Sequence, residues 1–390
     1  MATGAQKAMG KRIVLVGPVY PYKGGISHYT GLLYRALCEK YEARMISYSM
    51  QYPKLLFKKE QKDFSNDAFR ADGTEYLINT ANPVNILRAA GRIAEYEPDA
   101  VLIQWWHPYF APCYRLLTGR LKKAGIKILF TCHNVFPHER FVFDRFLTKL
   151  TLSRGDGFVL HSGEEAKELL SIKRDADYRI NPHPTYEAFA MEGLNRERAR
   201  ELLGLSGNMR VPLFFGFIRE YKGLKHLIRA LGILKKRGSR LLDESFVLYV
   251  VGDFGSQEKK NEYLLLMEEQ GVSSYIKVVD GYVPDREVER YFAACDVVVL
   301  PYESATQSGI VQIAYGFDRP VIATRTGGLA EAVRDKETGI LTEPFDEEGL
   351  AEALESFFFE DRFCEYSENI KKDEYTFSWE RMVDTIGELL

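Results

Sequence analysis

Arg219 and Lys222 lie in a short loop whose position suits the binding of a diphosphate. The loop, GFIREYKG, overlaps the end of the apolar run VPLFFGF at Val211–Phe217 and precedes a helical segment at Leu224–Lys236. In open α/β sheets, ligands bind at the carboxyl ends of the strands, and a helix N-terminus favours anions. Two cations at that edge indicate a phosphate site. The alternative is that both are ordinary solvated loop charges.

A second loop has the small residues and backbone amides that suit a phosphate. It follows the apolar run VVVLPY and reads ESATQSGIV at Glu303–Val311, with a helix after it. Small side chains let phosphate oxygens approach the backbone closely. We therefore expect the backbone N–H groups of Gln307–Ile310 to be available to the same ligand as the first loop.

The first apolar run of the chain also ends in a glycine-containing loop. It reads GPVYPYKGGISHY at Gly17–Tyr29, with Gly24 and Gly25 just before a helix that is predicted to begin near Ser27. The spacing differs from the dinucleotide fingerprint G-x-G-x-x-G. Neither half of the chain shows that fingerprint with its downstream acidic partner, which disfavours an NAD-dependent dehydrogenase.

Two histidines follow successive strands in the same half of the chain. His107 comes after AVLIQWW, and His133 lies in TCHN after KILFTC. Both positions are at strand carboxyl ends, where we expect side chains to face a ligand. For each histidine the alternative is a structural role, with the ring satisfied by hydrogen bonds.

Short β-branched apolar runs alternate with helical segments along the whole chain, which predicts parallel sheets covered by helices. The charged stretch Glu192–Arg200 opens a new helix between two such series. We therefore predict an N-terminal Rossmann-like domain at 1–190 and a C-terminal one at 191–375. A last amphipathic helix at 376–390 has Ser378 as its N-cap.

The composition excludes several classes of protein. The chain has 390 residues, of which 46% are apolar and 27% charged, enough for two ordinary cores. A net charge of −3 gives no global reason to bind nucleic acid. No segment reads as a signal peptide or membrane span, so we expect a cytoplasmic protein. Five cysteines without CxxC spacing indicate reduced thiols and no zinc site: Cys38, Cys113, Cys132, Cys295 and Cys364.

The ordered motifs GFIREYKGLKHLI, VGDFG, DGYVPDREVERYFAACDVVVLPY, SGIVQIAYGFDRPVIATRTGGLAEAV and FSWERM resemble family 4 of the retaining glycosyltransferases. The resemblance covers nearly the whole chain. It implies an α/β fold of the GT-B class, with two doubly wound Rossmann-like domains facing an interdomain cleft. It also implies that the C-terminal helix crosses back to pack on the N-terminal domain.

The resemblance implies a site for a nucleotide diphosphate sugar, chiefly on the C-terminal domain. Arg219 and Lys222 match the family's diphosphate-binding pair, and His107 matches a residue near the reacting sugar; these three are the catalytic candidates. His133 and Ser27 are candidates on the acceptor side. The candidates for binding the nucleotide sugar are Gly24, Gly25, Gly216, Val283, Pro284, Thr306, Gln307, Ser308, Gly309, Ile310 and Val311. For Val283 and Pro284, a buried turn and a helix-entry proline remain the alternative.

The sequence departs from the family at one place. The usual pair of glutamates separated by seven residues is absent: Thr306 takes the first position, and the second falls near Ile313 or Ala314. Glu303 lies three residues too early to replace the first glutamate without a loop shift. Neutral polar side chains such as Gln307 and Ser308 are the remaining candidates for these contacts.

The predicted function is retaining, metal-independent transfer of a sugar from a nucleotide diphosphate sugar, with no cofactor. The acceptor is expected to be a saccharide or lipid-linked sugar in surface polysaccharide or lipopolysaccharide biosynthesis. The alternative is a nucleotide-sugar-binding protein of the same fold with weak or no turnover. Two segments that mix aromatic and cationic residues, Tyr52–Phe64 and Arg140–Lys149, suggest peripheral contact with the inner face of the cytoplasmic membrane. Packing on a core is the alternative for both.

Overall fold

The computed structural model describes residues 10–53, 60–64, 70–137, 141–186, 189–305 and 308–390. The chain divides into two compact units. The first consists of Met1–Pro184 together with Phe377–Leu390, and the second of Thr185–Thr376. Each unit is a parallel sheet covered by helices.

The first unit has a seven-stranded parallel sheet in the order β3-β2-β1-β4-β5-β6-β7. Its strands are β1 (Arg12–Val16), β2 (Glu42–Met50), β3 (Glu75–Asn79), β4 (Ala100–Trp105), β5 (Lys127–Cys132), β6 (Gly157–Leu160) and β7 (Tyr178–Ile180). Its helices are α1 (Gly25–Lys40), α2 (Pro83–Ala94), α3 (Ala111–Lys123), α4 (Asp144–Leu152), α5 (Gly163–Leu170) and, from the end of the chain, α14 (Trp379–Glu388).

Strands β1, β4 and β5 form the centre of this sheet and are buried on both faces. Burial on both faces explains their continuous apolar sequences. Strand β3, by contrast, lies at the edge beside β2 and is mostly half-exposed. Its sequence EYLIN mixes polar and apolar residues, so it lacks the apolar run that identifies the central strands, and the sequence patterns missed it.

The second unit has a six-stranded parallel sheet in the order β10-β9-β8-β11-β12-β13. Its strands are β8 (Pro212–Phe215), β9 (Leu248–Gly252), β10 (Ile276–Asp280), β11 (Val297–Leu300), β12 (Val321–Thr324) and β13 (Gly339–Thr342). Its helices are α6 (Arg196–Leu203), α7 (Leu224–Lys236), α8 (Gln257–Glu269), α9 (Asp285–Ala294), α10 (Gly309–Gly316), α11 (Gly327–Ala332), α12 (Glu347–Phe359) and α13 (Phe363–Lys372).

The first of the two segments that form the first unit ends at Pro184, whereas the sequence places the boundary near residue 190. The reason is that the N–H of Tyr186 already donates to the carbonyl of Gln312 in α10, at 3.3 Å. The charged helix that suggested the boundary is α6, which begins later, after its N-cap Asn195.

The last helix, α14, packs within the first unit. Its N-cap is Ser378, whose side chain accepts a hydrogen bond from the N–H of Arg381, as the sequence predicts. Asp384 accepts a hydrogen bond from Lys40 of α1 at 2.6 Å, and Thr385 bonds the buried side chain of Asn181 at 3.0 Å. The first unit is therefore completed by the final segment of the chain.

Among the residues that the structure describes, no helix is long and apolar enough to cross a membrane.

A buried ion pair fixes α6 on the second unit. The guanidinium of Arg200, 2% exposed, donates to both carboxylate oxygens of Asp296 at 2.9 Å. Asp296 also accepts from the N–H of Val211 at the start of the sheet, and from Arg196. Because both charges are buried, removing one partner leaves the other uncompensated.

We predict that Asp296→Ala lowers the free energy of unfolding of the second unit by about 3–5 kcal/mol. The measurement is urea unfolding followed by circular dichroism. The three tryptophans, Trp105, Trp106 and Trp379, all lie in the first unit, so their fluorescence reports on that unit alone. We expect the urea concentration at the midpoint of the fluorescence transition to be unchanged.

The matched control is Glu201→Ala, which removes the exposed Arg198–Glu201 pair of the same helix. We expect it to cost less than about 1 kcal/mol. Equal effects of the two substitutions would contradict the role assigned to the buried pair.

Candidate functional site

At the carboxyl edge of the second sheet, three successive strands end in glycines whose backbones touch. A Cβ added to Gly252, the last residue of β9, would lie 1.9 Å from the carbonyl oxygen of Gly216, which follows β8. The N–H of Gly281, after β10, donates to the carbonyl of Gly252 at 3.2 Å. No larger residue fits at Gly252, so the loops after β8, β9 and β10 are held in contact.

The loop after β8 is also held against the loop after β11. Gly223 has a φ of 67°, and a Cβ on it would lie 1.8 Å from the carbonyl oxygen of Pro301. The N–H of Glu303 donates to the carbonyl of Tyr221 at 2.7 Å. The two loops that the sequence assigned to one phosphate site are therefore in direct contact.

Lys222 lies at the meeting point of these loops. A Cβ on Gly216 would be 3.0 Å from its Nζ and 3.6 Å from the Cδ1 of Ile310. The ammonium lies over the ring of Tyr302, 5.6 Å from its centroid. Burial lowers the pKa of Lys222, the positive charge of Arg219 lowers it further, and Tyr221 acts in the opposite direction. A bound anion would therefore stabilise the charged form of Lys222, which burial and Arg219 destabilise in the free protein.

Arg219 lies three residues before Lys222, and its side chain is exposed. Within the part of the chain that the structure describes, neither cation forms an ion pair. Lys222, Gly216 and Ile310 are thus brought together as the sequence predicted, with Arg219 at the rim of the same loop.

The start of α10 differs from the prediction for this loop. Ser308 is the N-cap, and its Oγ accepts from the N–H of Ile310 at 3.3 Å, while its carbonyl accepts from the N–H of Val311 at 3.1 Å. The backbone amide of Ile310 is therefore not available to a phosphate, because a serine cap already satisfies it. Gly309 is half-buried, and its N–H has no hydrogen bond to a described residue. Val311 is fully buried.

Thr306 and Gln307, which the sequence placed in the same loop, lie outside the described residues.

Val283 and Pro284 follow β10 at the same edge of the sheet, and both are half-buried. Pro284 precedes α9 as its N-cap, which is the helix-entry role that the sequence left as the alternative. A contact with a nucleotide base stays a prediction for this pair.

The sequence patterns missed a charged cluster beside this edge. Glu303 accepts from Lys225 at 2.8 Å and from Nε2 of His226 at 3.0 Å, and Nδ1 of His226 lies 2.8 Å from Glu347. Burial alone would raise the pKa of Glu303, but its hydrogen bonds from Lys225 and His226 outweigh burial and lower it. Glu303, three residues before the first missing glutamate position in sequence, is therefore already engaged with protein groups.

In the first unit, the glycine loop after β1 leads into α1. Gly24 is the N-cap of α1, with a φ of 107°, and a Cβ there would meet nothing within 4 Å. Gly24 and Gly25 are exposed. Ser27 is 1% exposed, and its Oγ has no hydrogen-bond partner among the described residues. The loop is open to a ligand, whereas Ser27 lies beneath it.

His107 follows β4, next to β1 in the sheet, and is half-buried. Its Nδ1 accepts from the N–H of Tyr109 at 3.0 Å, capping the single helical turn Pro108–Phe110. Burial lowers the pKa of His107, which favours the neutral ring. With Nδ1 accepting, the proton of the neutral ring is on Nε2. His107 can therefore donate one hydrogen bond from Nε2.

His133 follows β5 and is 4% exposed. Its Nε2 bonds Gln104 at 2.7 Å, and its ring lies 4.6 Å from the ring of Tyr29. Burial, reinforced by His161 and His183, lowers its pKa well below the usual range. His133 thus belongs to a buried cluster of neutral rings, and a role towards the acceptor stays a prediction.

The family model described as glycosyl transferases group 1 matches residues 210–358. The D-inositol 3-phosphate glycosyltransferase of Corynebacterium diphtheriae is 28% identical over 221 residues, or 56% of this chain and 51% of that protein. The Rhodococcus jostii protein of the same name is 30% identical over 248 residues, covering 63% and 52%. The chain spans about half the length of the curated relatives it matches.

Solved structures resemble the whole chain. Sucrose-phosphate synthase from Thermosynechococcus elongatus has a TM-score of 0.71 at 18% identity, covering 97% of this chain and 98% of that one. HepE from Anabaena, in complex with UDP, has a TM-score of 0.73 at 16% identity, covering 97% and 99%. The predicted fold class is therefore confirmed: two Rossmann-like parallel-sheet units, as in GT-B glycosyltransferases.

The family resemblance is confirmed as well. The stretch that matches the model of glycosyl transferases group 1, residues 210–358, contains the loops of Lys222 and Gly309.

We predict that Gly223→Ala is strongly destabilising, because it adds an overlap with Pro301 to the cost of a left-handed backbone. Gly238 is the matched control, with a φ of 66° and nothing within 4 Å of an added Cβ. Gly238→Ala should cost about 1–2 kcal/mol from the backbone alone. Gly223→Ala should cost at least about 1–3 kcal/mol more. Urea unfolding followed by circular dichroism measures both, and equal losses would refute the contact.

Proposed function

We propose that this protein is a retaining glycosyltransferase that moves a sugar from a nucleotide diphosphate sugar to a saccharide or lipid-linked acceptor. The observation that carries the proposal is the position of Lys222, packed beside Gly216 and Ile310 at the carboxyl edge of the second sheet with no counter-ion among the described residues. The family match over residues 210–358 supports it. A role in surface polysaccharide or lipopolysaccharide biosynthesis, in the cytoplasm, is part of the proposal.

The second unit binds the donor. Lys222 and Arg219 hold the diphosphate, which gains negative charge as the bond to the sugar breaks. Because Lys222 is partly desolvated in the free protein, its interaction with the developing charge is stronger than that of a fully solvated lysine. UDP-sugars are the first donors to test, since HepE, a structural neighbour, was solved with UDP and with UDP-glucose. The reaction as proposed uses neither a metal ion nor a cofactor.

The first unit supplies His107 for the sugar. With its proton on Nε2, the neutral ring donates a hydrogen bond and has no lone pair left for a general base. This agrees with a front-face reaction, in which the leaving group is stabilised and the acceptor attacks without a protein nucleophile. His107 is therefore proposed to position a hydroxyl of the sugar.

A nucleotide-sugar-binding protein without turnover is the second candidate. Two observations favour it: the paired glutamates are absent, and Glu303 is engaged with Lys225 and His226. Both candidates share the diphosphate site and differ only in transfer. Release of nucleotide from a donor separates them.

We predict that Lys222→Met weakens donor binding more than tenfold, since a buried charged hydrogen bond contributes about 1.5–3 kcal/mol. A thermal-shift screen of UDP-, GDP- and ADP-sugars identifies the donor, because a bound ligand stabilises the fold. Titration calorimetry then gives the affinity, and a nucleotide-release assay gives turnover. Unchanged donor binding in both Lys222→Met and Arg219→Ala would show that this loop does not bind the donor. Binding without release would favour the second candidate.

The lowered pKa of Lys222 gives a second prediction for the same calorimetric titration, namely proton uptake on donor binding. Between the lowered pKa and the ordinary value of 10.5, the free protein holds part of Lys222 neutral, and a bound diphosphate restores the charge. Donor binding at alkaline pH should therefore take up protons, measured as a dependence of the binding enthalpy on the buffer. Lys222→Met should abolish the uptake, and Lys236→Met, at the exposed end of α7, should retain it.

We predict that His107→Asn lowers kcat on the order of 100-fold while leaving stability unchanged. Asparagine retains an oxygen that caps Pro108–Phe110 but loses the Nε2 donor. His107→Ala should lose both transfer and about 1 kcal/mol of stability. Steady-state rates and thermal unfolding measure the two effects. Full activity of His107→Asn would reduce His107 to a structural cap.

A further inference from the structure

Helices α2, α3 and α4 lie side by side in the first unit and share one outer face. Helix α2 packs against α3, and α3 packs against α4. Each helix buries one stripe and exposes the opposite one, as Ile86 and Ala90 are buried in α2 while Val84 and Arg88 are exposed. We call the exposed stripes of these helices, together with the preceding turn 141–143, the basic face.

The charge of the basic face has one sign. Every charged side chain on α2 and α3 is an arginine or a lysine, and α4 adds Arg145 and Lys149. The only carboxylate in the three helices, Asp144, is 3% exposed. Exposed helices usually carry both acidic and basic side chains. The basic face exposes only basic ones, although the whole chain has a net charge of −3.

Most of these cations are available to a partner. Arg92 pairs with Glu95 and Lys122 pairs with Asp156. Arg88, Arg120 and Lys149 form no ion pair with any residue in the described ranges.

The turn before α4 presents apolar side chains to solvent. Val142 is 91% exposed, Phe143 66% and Phe146 64%. The carboxylate of Asp144 accepts from the N–H of Phe141 at 3.3 Å, so the turn is fixed by a hydrogen bond. Contiguous exposed aromatic residues rimmed by cations mark an interaction surface rather than a packed core. The preceding residues 138–140, with Arg140, lie outside the described residues, as do 54–59 of the other aromatic and cationic segment.

We propose that the basic face docks on a bilayer containing anionic phospholipid, with Val142, Phe143 and Phe146 entering the interface between headgroups and acyl chains. Cations of one sign attract the anionic surface, and apolar side chains of this size gain by leaving water at that depth. A nucleic acid would use the cations and leave Val142 in solvent. The ring of Phe141 lies 6.3 Å from the ring of His107, so the docked turn borders that candidate site.

The test is co-sedimentation of the full chain with vesicles of phosphatidylcholine alone and of phosphatidylcholine mixed equally with phosphatidylglycerol. We expect binding to the mixed vesicles only, with loss as salt rises from about 0.1 M to about 0.5 M. Each of Arg120→Glu and Lys149→Glu should lower partitioning about fivefold or more. The double variant Val142→Ser, Phe143→Ser should also lower it, at unchanged charge.

The matched controls are Phe359→Ser and Lys236→Glu, which remove an exposed aromatic side chain and an exposed cation from the second unit. Both should bind vesicles as the unaltered protein does. Thermal unfolding checks that every variant is folded. The measurement needs no sugar donor, so its outcome is independent of whether transfer occurs.

Three outcomes would overturn the proposal. Equal binding to both kinds of vesicle would show that attraction to anionic lipid does not drive binding. Binding that is insensitive to the Val142 and Phe143 substitutions would show that charge alone holds the protein on the anionic vesicle, without insertion of apolar side chains. Self-association that those substitutions abolish, seen by analytical ultracentrifugation without vesicles, would make the face an interface between two copies of the chain.

Discussion

The candidate donor site depends on backbones that touch with no side chain between them. Gly252 lies against the carbonyl of Gly216, and Gly223 lies against the carbonyl of Pro301. Because a single Cβ would separate these loops, the glycines fix the position of the residues between them, above all Lys222. The chemistry of the edge is thus set by residues that have no side chain of their own.

The charged side chains at this edge differ in whether they have a partner of opposite charge. Two carboxylates beside this edge are occupied, with Glu303 held by Lys225 and His226 and Glu347 by His226. Lys222 has no such partner in the described chain and is partly desolvated. An edge that retains an uncompensated cation is suited to an anionic ligand.

The fold was largely predictable from the sequence, because central strands such as β1 and β4 are buried on both faces and read as continuous apolar runs. The edge strand β3 was not, since its sequence mixes polar and apolar residues. Within the site, Lys222 and Gly216 could be placed because they are close in sequence to a strand end. The bond between His226 and Glu347 could not, because it joins residues 121 positions apart. The capping of Ile310 by Ser308 was missed since a serine before a helix fits either a cap or a ligand contact.

The first unit is built from two pieces of chain, and this has a consequence for biosynthesis. Trp379 of α14 packs on Tyr29 of α1, with ring centroids 5.0 Å apart, yet all of the second unit lies between them in sequence. On the ribosome, the sheet of the first unit emerges long before the helix that covers Tyr29. The second unit can complete its fold first, while the first waits with an apolar surface open to water. The first unit can therefore be completed only after the second has been synthesised.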